Sequence, residues 1–309
     1  MEIDLIIPTY KPKKTLLHLL EMIEKQTHSV NRIILMNTEE KYMIPFEKEY
    51  DLRKRFPKVE IYHVTETEFD HGNTRHQGVL KSQAPYFLCM TDDAVPEDVY
   101  LIENLLKHLQ QESIAVAYGR QLPAADCGIT ERFIRQFNYP SESRIKKEDD
   151  KKELGIKTYF CSNVCAAYNR SIYDSLGGFI RHTIFNEDMI YAGTALQHGY
   201  QIAYAADAKV VHSHNYNGLM QLKRNFDLGV SQADHPEIFA NVPSEKEGGK
   251  LVKSTLHYLL RKRRLDRVIP FIYQCGCKWI GYRLGKSYRK LPKKIIRKLT
   301  MNRNYWIES

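Results

Sequence analysis

Two carboxylates, Asp92 and Asp93, stand side by side just after the apolar run YFLCM over residues 86–90. Adjacent carboxylates repel unless a cation lies between them, and a hard divalent ion shared with substrate phosphates is the usual partner. An Asp after a strand can also cap a helix, but a cap needs only one of the two. A second acidic pair, Glu187-Asp188, precedes a helical run over 189–198. Neighbouring helix residues point in different directions, so one of the two can face a substrate hydroxyl and take its proton. The alternative is a simple complement to the helix N-terminus. His212 and His214 flank Ser213 after a strand-like stretch over 209–211, and positions i and i+2 of an extended segment face the same side. Both rings could therefore meet one ion, although paired histidines are more often structural. Arg224, with Lys223 beside it, offers a planar fork suited to a diphosphate.

At the end of the first apolar run stand Pro8-Thr9-Tyr10-Lys11-Pro12. No G-x-G-x-x-G follows, so a dinucleotide-binding dehydrogenase is disfavoured: prolines occupy the place where a backbone must approach a pyrophosphate. A Pro-Thr-Tyr turn can present backbone groups and a ring to a nucleoside, or serve only as a turn. Cys161-x3-Cys165 lacks a second ligand pair at suitable distance, so no zinc site is assigned to it.

These residues need a frame. Short β-branched or aromatic runs at 3–8, 32–36, 59–64, 86–90 and 114–119 read as strands buried on both faces. Helical periodicity fills 15–26, with Leu16, Leu19, Leu20 and Ile23 on one face, and 101–109, with Leu101, Leu105 and Leu109. Alternation of this kind predicts a parallel, doubly wound sheet whose ligands lie beyond the strand ends. The residues after Pro8, Met36, Val64 and Met90 should then converge on one crevice. Residues 141–157 read as a charged, solvated loop or exposed helix, and 243–250 as a linker.

The chain of 309 residues carries 46 Lys+Arg and 37 Asp+Glu, a net charge of +9, with 43% hydrophobic residues. That balance suits one large or two modest globular domains and excludes a disordered or collagen-like chain. The charge is uneven. Residues 246–309 hold 18 basic and 3 acidic side chains, so residues 1–245 are mildly acidic. A main body that grips nucleic acid is disfavoured, and the tail, though it has aromatics, has no recognised nucleic-acid motif. The start, MEIDLIIPTYK, does not read as a secretory signal. The longest apolar stretch, 268–284, is interrupted by Lys278 and Arg283, so a membrane-spanning helix is not expected. The six cysteines then read as free thiols in a reducing cytoplasm.

Taken together, the motifs resemble glycosyltransferase family 2. The first strand ends I-I-P-T-Y and a later one ends in an acidic pair. FDHGNTRHQG (69–78) resembles the F-x-H-G-x-T-R-N-x-G segment of bacterial polysaccharide rhamnosyltransferases in that family. MTDDAVP (90–96) resembles their L-T-Q-D-A-x-P, FNED (185–188) the family's E-D motif, and VVHSHNY (210–216) their V-x-H-S-H-x-Y. These segments span roughly residues 3–230 in order.

The resemblance implies a GT-A fold: an α/β, Rossmann-like unit over 1–245 with a mostly parallel central sheet and flanking helices; the residues beyond it, 246–309, read from their charge and periodicity as a basic helical region. It implies inverting, metal-dependent transfer from a nucleotide-sugar donor. Pro8, Thr9 and Tyr10 match donor-nucleoside positions. Asn37 stands where many relatives carry an Asp that contacts the base, and Asn can pair with a uracil or thymine edge. Asp93 matches the metal-binding acid, with Asp92 as helper, and His212, then His214, as the imidazole ligand of Mn²⁺ or Mg²⁺. Arg75 fits a donor-phosphate or carboxylate-orienting role, and Arg224, or Lys223, a diphosphate-binding one. Asp188 corresponds to the base and Glu187 supports it. Gln221-x2-Arg224 has the spacing of Q-x-x-R-W, but Asn225 replaces the Trp, which argues against a processive polymerase. H-G-N-T-R favours dTDP-L-rhamnose over UDP-hexose or UDP-N-acetylhexosamine, with a cell-surface or polyprenyl-linked glycan as acceptor. Finally, LPKKIIRKL (291–299) sets Leu291, Ile295, Ile296 and Leu299 against four basic residues. This basic amphipathic segment suits an anionic membrane surface, which predicts a peripheral protein at the inner face of the plasma membrane. A solvated face or an oligomer contact is the alternative.

Overall fold

The β-branched and aromatic runs become strands of a nine-stranded sheet. A computed structural model describes residues 1–214 and 216–307; Asn215 of the VVHSHNY segment lies outside the described residues. The strands are β1 (Ile3–Tyr10), β2 (Ile33–Thr38), β3 (Val59–Val64), β4 (Tyr86–Met90), β5 (Val95–Pro96), β6 (Ile114–Leu122), β7 (Arg144–Lys146), β8 (Cys165–Asn169) and β9 (Gln201–Val211). Their order is β3-β2-β1-β4-β8-β6-β9-β5, with β7 also on β9. β1, β2, β3, β4, β6 and β9 run one way; β5, β7 and β8 run the other.

Most strands run one way, as expected of a mostly parallel sheet, but the sheet is mixed where strand–helix alternation alone predicted a fully parallel one. β8 enters between β4 and β6 and is antiparallel to both. β7 falls in the charged segment expected to be a solvated loop or exposed helix. Its Lys146 is only 3% exposed, and its ammonium donates to the carbonyls of Lys157 and Phe160. A buried cation with two carbonyl acceptors has its hydrogen-bonding demand largely met.

Alternation builds a core on each face. Ile3, Leu5 and Ile7 of β1 pack with Leu16 and Leu20 of the helix Lys14–Glu24. Ile6 and Ile34 turn to the opposite side with Val79 and Phe87. Period-two alternation on a sheet covered on both sides explains why these strands read as continuous apolar runs.

The basic C-terminal region joins this body closely. The expected linker at 243–250 is largely the first turns of a helix, Glu245–Arg261. The following helix, Val268–Lys286, lies against Gly218–Asp234 through glycines. A Cβ at Gly281 would sit 2.1 Å from the Leu222 carbonyl oxygen, and one at Gly285 2.1 Å from that of Phe226. Backbones approach that closely only without a side chain. The 291–299 segment forms a short helix, Lys293–Leu299, but all of its apolar face except the exposed Ile295 packs on protein. Ile296 is buried with Phe226 and Trp306, and Leu291 and Leu299 pack beside it. No helix among the described residues is long and apolar enough to cross a membrane, and all six cysteines are free.

Candidate active site

The short β5–β9 pairing brings the two ends of the site together. Val95 faces Val211 and Pro96 faces Val210, so Asp93, two residues before β5, comes opposite His212 and His214, just after β9. His212 Nε2 lies 3.4 Å from Asp93 Oδ1, and His214 Nε2 lies 3.4 Å from Asp93 Oδ2. One ligand atom from each of the three residues lies within 4.8 Å of the others. His212 is 7% exposed, and its Nδ1 donates to Gln121 Oε1 at 3.0 Å, leaving the Nε2 lone pair toward Asp93. Burial, only partly offset by Asp93, pushes the His212 imidazole down to about 3, so it is neutral and able to ligate. A carboxylate and two oriented neutral imidazoles fit Mn²⁺ better than Mg²⁺.

Asp92 turns to β1. It accepts a hydrogen bond from Thr9 Oγ1 at 2.8 Å, and burial, with Asp93 nearby, pushes its carboxyl up to about 6. Thr9 is buried at the end of β1, while the next residue, Tyr10, is exposed and donates to Glu66 at 2.6 Å. Pro8 stays within β1, paired with Met36. Asn37 is fully buried, its amide facing His63 Nδ1 at 3.0 Å. The neighbouring Thr38, from the same strand end, lines a cavity of about 440 Å³ with Tyr10, Phe69 and Arg224.

A second acidic centre is built on two helices. Asp70 caps the helix His71–Lys81 by accepting from Gly72 N and Asn73 N, and accepts from Thr183 N with its other oxygen. Gly72 is required there: a Cβ would lie 1.9 Å from the Ile180 carbonyl oxygen. His71 and Arg75, one turn apart, then face the helix Glu187–Gln197. Asn186, in the left-handed conformation that Asn tolerates, starts that helix.

Glu187 and Asp188 are treated differently by this frame. Glu187 forms a buried ion pair with Arg75, Oε1 to Nη1 3.1 Å, and accepts from the Asn163 amide at 3.0 Å. Burial would raise its pKa, but Arg75 and His71 outweigh it and hold the carboxyl below its usual value. Arg75 also donates to the His71 carbonyl oxygen at 2.9 Å. Asp188 accepts backbone N–H groups from Asn163 at 2.9 Å and Met189 at 2.7 Å. Burial, then the neighbouring Glu187, pushes its carboxyl up to about 7. A carboxylate of that pKa is suited to accept a proton near neutrality.

Asp92, Asp93, His212, His214, Arg75, Glu187, Asp188 and Arg224 all line one cavity of about 540 Å³. Arg224 lies over the Phe185 ring, 4.6 Å from its centroid, and shares the 440 Å³ cavity as well. Lys223 is half-buried on the same helix and lines neither. Sequence reading passed over Gln121, Arg135, Asn163 and Lys278, which also line the larger cavity. Lys278 had a signal, a cation interrupting an apolar helix. The C-terminal turn Met301, Asn302, Arg303 and Asn304, which walls the smaller cavity, had none.

The fold and motifs are matched elsewhere. The model of glycosyl transferase family 2 matches residues 4–177. The chain is 36% identical over 310 residues to the O-antigen chain rhamnosyltransferase RfbN of Salmonella typhimurium, covering 99% of this chain and 96% of the relative. It is 38% identical over 247 residues to the O-antigen chain rhamnosyltransferase WbaN of Salmonella anatum, covering 79% and 78%. Among solved structures, the mannosyltransferase PcManGT of Pyrobaculum calidifontis, in complex with GDP-Man and Mn²⁺, superposes with a TM-score of 0.62 at 13% identity, over 94% of this chain and 88% of that one. S. aureus TarS 1–349 with UDP-GlcNAc superposes with a TM-score of 0.54 at 11% identity, over 94% and 92%. With a curled α/β sheet of the GT-A type, and a relative 36% identical across nearly its whole length, the chain is a member of glycosyl transferase family 2.

Proposed function

We propose that the chain transfers L-rhamnose from dTDP-L-rhamnose, with inversion, to a cell-surface polysaccharide or its polyprenyl-linked precursor at the inner face of the plasma membrane. The observation that carries the reading is one cavity with a proton-accepting carboxylate, Asp188, and a separate Asp93–His212–His214 cluster. The names of the two Salmonella relatives support rhamnose and an O-antigen-type acceptor.

In this reading the donor nucleoside lies along Tyr10 and Thr38, and its diphosphate reaches Arg224 and Lys278. Asp93, His212 and His214 would hold a divalent ion, Mn²⁺ by preference, with Asp92 tied to Thr9 behind them. When bound, such an ion offsets negative charge on the departing diphosphate. Asp188 accepts the proton of the acceptor hydroxyl. The oxygen forms its bond to the anomeric carbon while the bond to the β-phosphate oxygen breaks, and the electron pair leaves with dTDP. Glu187, neutralised by Arg75, holds the helix start and leaves the proton to Asp188.

The test is donor choice. With Mn²⁺ present, dTDP-L-rhamnose should raise the melting temperature and release dTDP when acceptor is added, whereas UDP-hexoses should do neither. Turnover of a UDP-hexose at a higher kcat/KM than dTDP-L-rhamnose would replace the sugar, and indifference to all nucleotide sugars would remove the reading.

A further inference from the structure

The helix Val268–Lys286 has two unlike faces. Arg267, Phe271 and Gln274 line a cavity of about 350 Å³, and one turn further on Lys278 reaches the catalytic cavity. Opposite them lies an outward apolar stripe. Ile269 is 78% exposed, and Ile272, Tyr273, Trp279 and Ile280 continue it, with Leu265 just before the helix. Contiguous large apolar side chains on a surface mark an interaction site. At one end stands the run RKRRLDR over 261–267, five basic residues with one acid; Arg264 and Arg267 share Asp266, and Arg261, Lys262 and Arg263 are exposed. Arg283 lies within the stripe at the other end and is also exposed.

We infer that this face docks the protein on an anionic lipid bilayer, with the helix lying in the plane of the interface. Apolar and aromatic side chains directed outward, with cations at their margin, match the acyl boundary and the charged headgroups. The helix cannot span the bilayer, because its inner face carries Lys278 into the active site. The 350 Å³ cavity, bordered by Arg264 and Arg267 of the basic run at the end of the stripe, shares Glu131, Ile134, His214, Tyr216 and Gln221 with the catalytic cavity. An acceptor anchored in the bilayer therefore has a path from the docking face toward Asp188. Only this last step rests on the proposed transfer reaction; the docking face stands on its own residues. It also replaces the 291–299 segment as the membrane contact, since Leu291, Ile296 and Leu299 of that segment pack on protein and leave only Ile295 exposed.

The experiment is co-sedimentation of the full chain with vesicles of phosphatidylglycerol and phosphatidylcholine, against pure phosphatidylcholine. The wild type should pellet with the anionic vesicles. Ile269→Glu/Ile272→Glu/Trp279→Glu should lose at least about tenfold in partitioning, and each of Lys262→Ala and Arg263→Ala about fivefold. Ile295→Glu, on the Lys293–Leu299 helix, should bind as the wild type does. Circular dichroism and melting confirm that each variant is folded. Wild-type pelleting by the triple variant, or failure of the wild type to bind, overturns the inference. So does a dimer in light scattering that the triple variant dissolves, since a second copy would then cover the face. A chain that binds vesicles but transfers no rhamnose would refute the sugar assignment and leave the docking face standing.

Discussion

His212 Nδ1 sits 3.0 Å from the Gln121 side-chain oxygen, an oxygen that also accepts from Arg135. The bond fixes the imidazole as the tautomer whose Nε2 faces Asp93. Removing such a partner behind a metal-ligating His typically weakens binding by about 10–100-fold. Gln121→Leu should thus weaken Mn²⁺ affinity by about that factor, read by titration calorimetry on the donor-free protein. Asp93→Ala should abolish binding in the same assay. Equal affinity in wild type and Asp93→Ala would remove the metal site.

Asp188 governs a pH dependence in two ways. As the base it must be ionised, so kcat should fall as pH drops through about 7, and Asp188→Asn should lower kcat by about 10²–10⁴-fold with dTDP affinity retained. The stability effect has the opposite sense. The folded-state pKa is raised, so the native state favours the proton: that contribution is complete below the unfolded pKa and is lost as pH rises through about 7. Asp188→Asn should therefore melt higher than the wild type at pH 8, with the advantage gone near pH 4. An unchanged rate in the variant would reassign the base.

The strands around this carboxylate were legible because their chemistry is local. The runs read at 3–8, 59–64 and 86–90 fall within β1, β3 and β4, since β1 and β4, buried on both faces, leave a continuous apolar signature and β3 keeps β-branched and aromatic residues. β8 was missed as an antiparallel insertion. Its CAAYN has little β-branching, and its place between β4 and β6 is set by long-range pairing. In the site, the i and i+2 histidines do face one carboxylate, as an extended segment dictates. Gln121, Asn163 and the turn at 301–304 left no such trace, because they reach the site through contacts between segments far apart in the chain.

Arg75 and Glu187 form an ion pair in which both side chains are less than a tenth exposed. Removing one member strands a buried charge, which costs about 3–5 kcal/mol. Arg75→Met should lower the urea midpoint by that equivalent, and Arg75→Met/Glu187→Gln should recover part of it. A double variant no more stable than Arg75→Met would show that the two residues are not energetically coupled.

Asp227 anchors the C-terminal turn that walls the smaller cavity. It is 3% exposed on the helix Gly218–Asp234, and accepts from Thr300 Oγ1 at 2.7 Å and from Met301 N at 2.8 Å. Asn304, at the end of the turn, donates to the Glu66 carbonyl oxygen at 3.1 Å, and the side chain of the same Glu66 accepts from the Tyr10 hydroxyl. Asp227→Ala removes both acceptors, and hydrogen bonds to a carboxyl of this kind contribute about 1.5–3 kcal/mol each when charged and less when protonated. Burial raises the Asp227 carboxyl to about 7, so at neutral pH it is about half protonated and the contribution lies between the two. The expected result is faster amide exchange confined to residues 300–306 and weaker dTDP binding, with exchange in the Glu187–Gln197 helix unchanged. Faster exchange in the turn with unaltered dTDP affinity would detach the turn from donor binding and leave it a structural clasp.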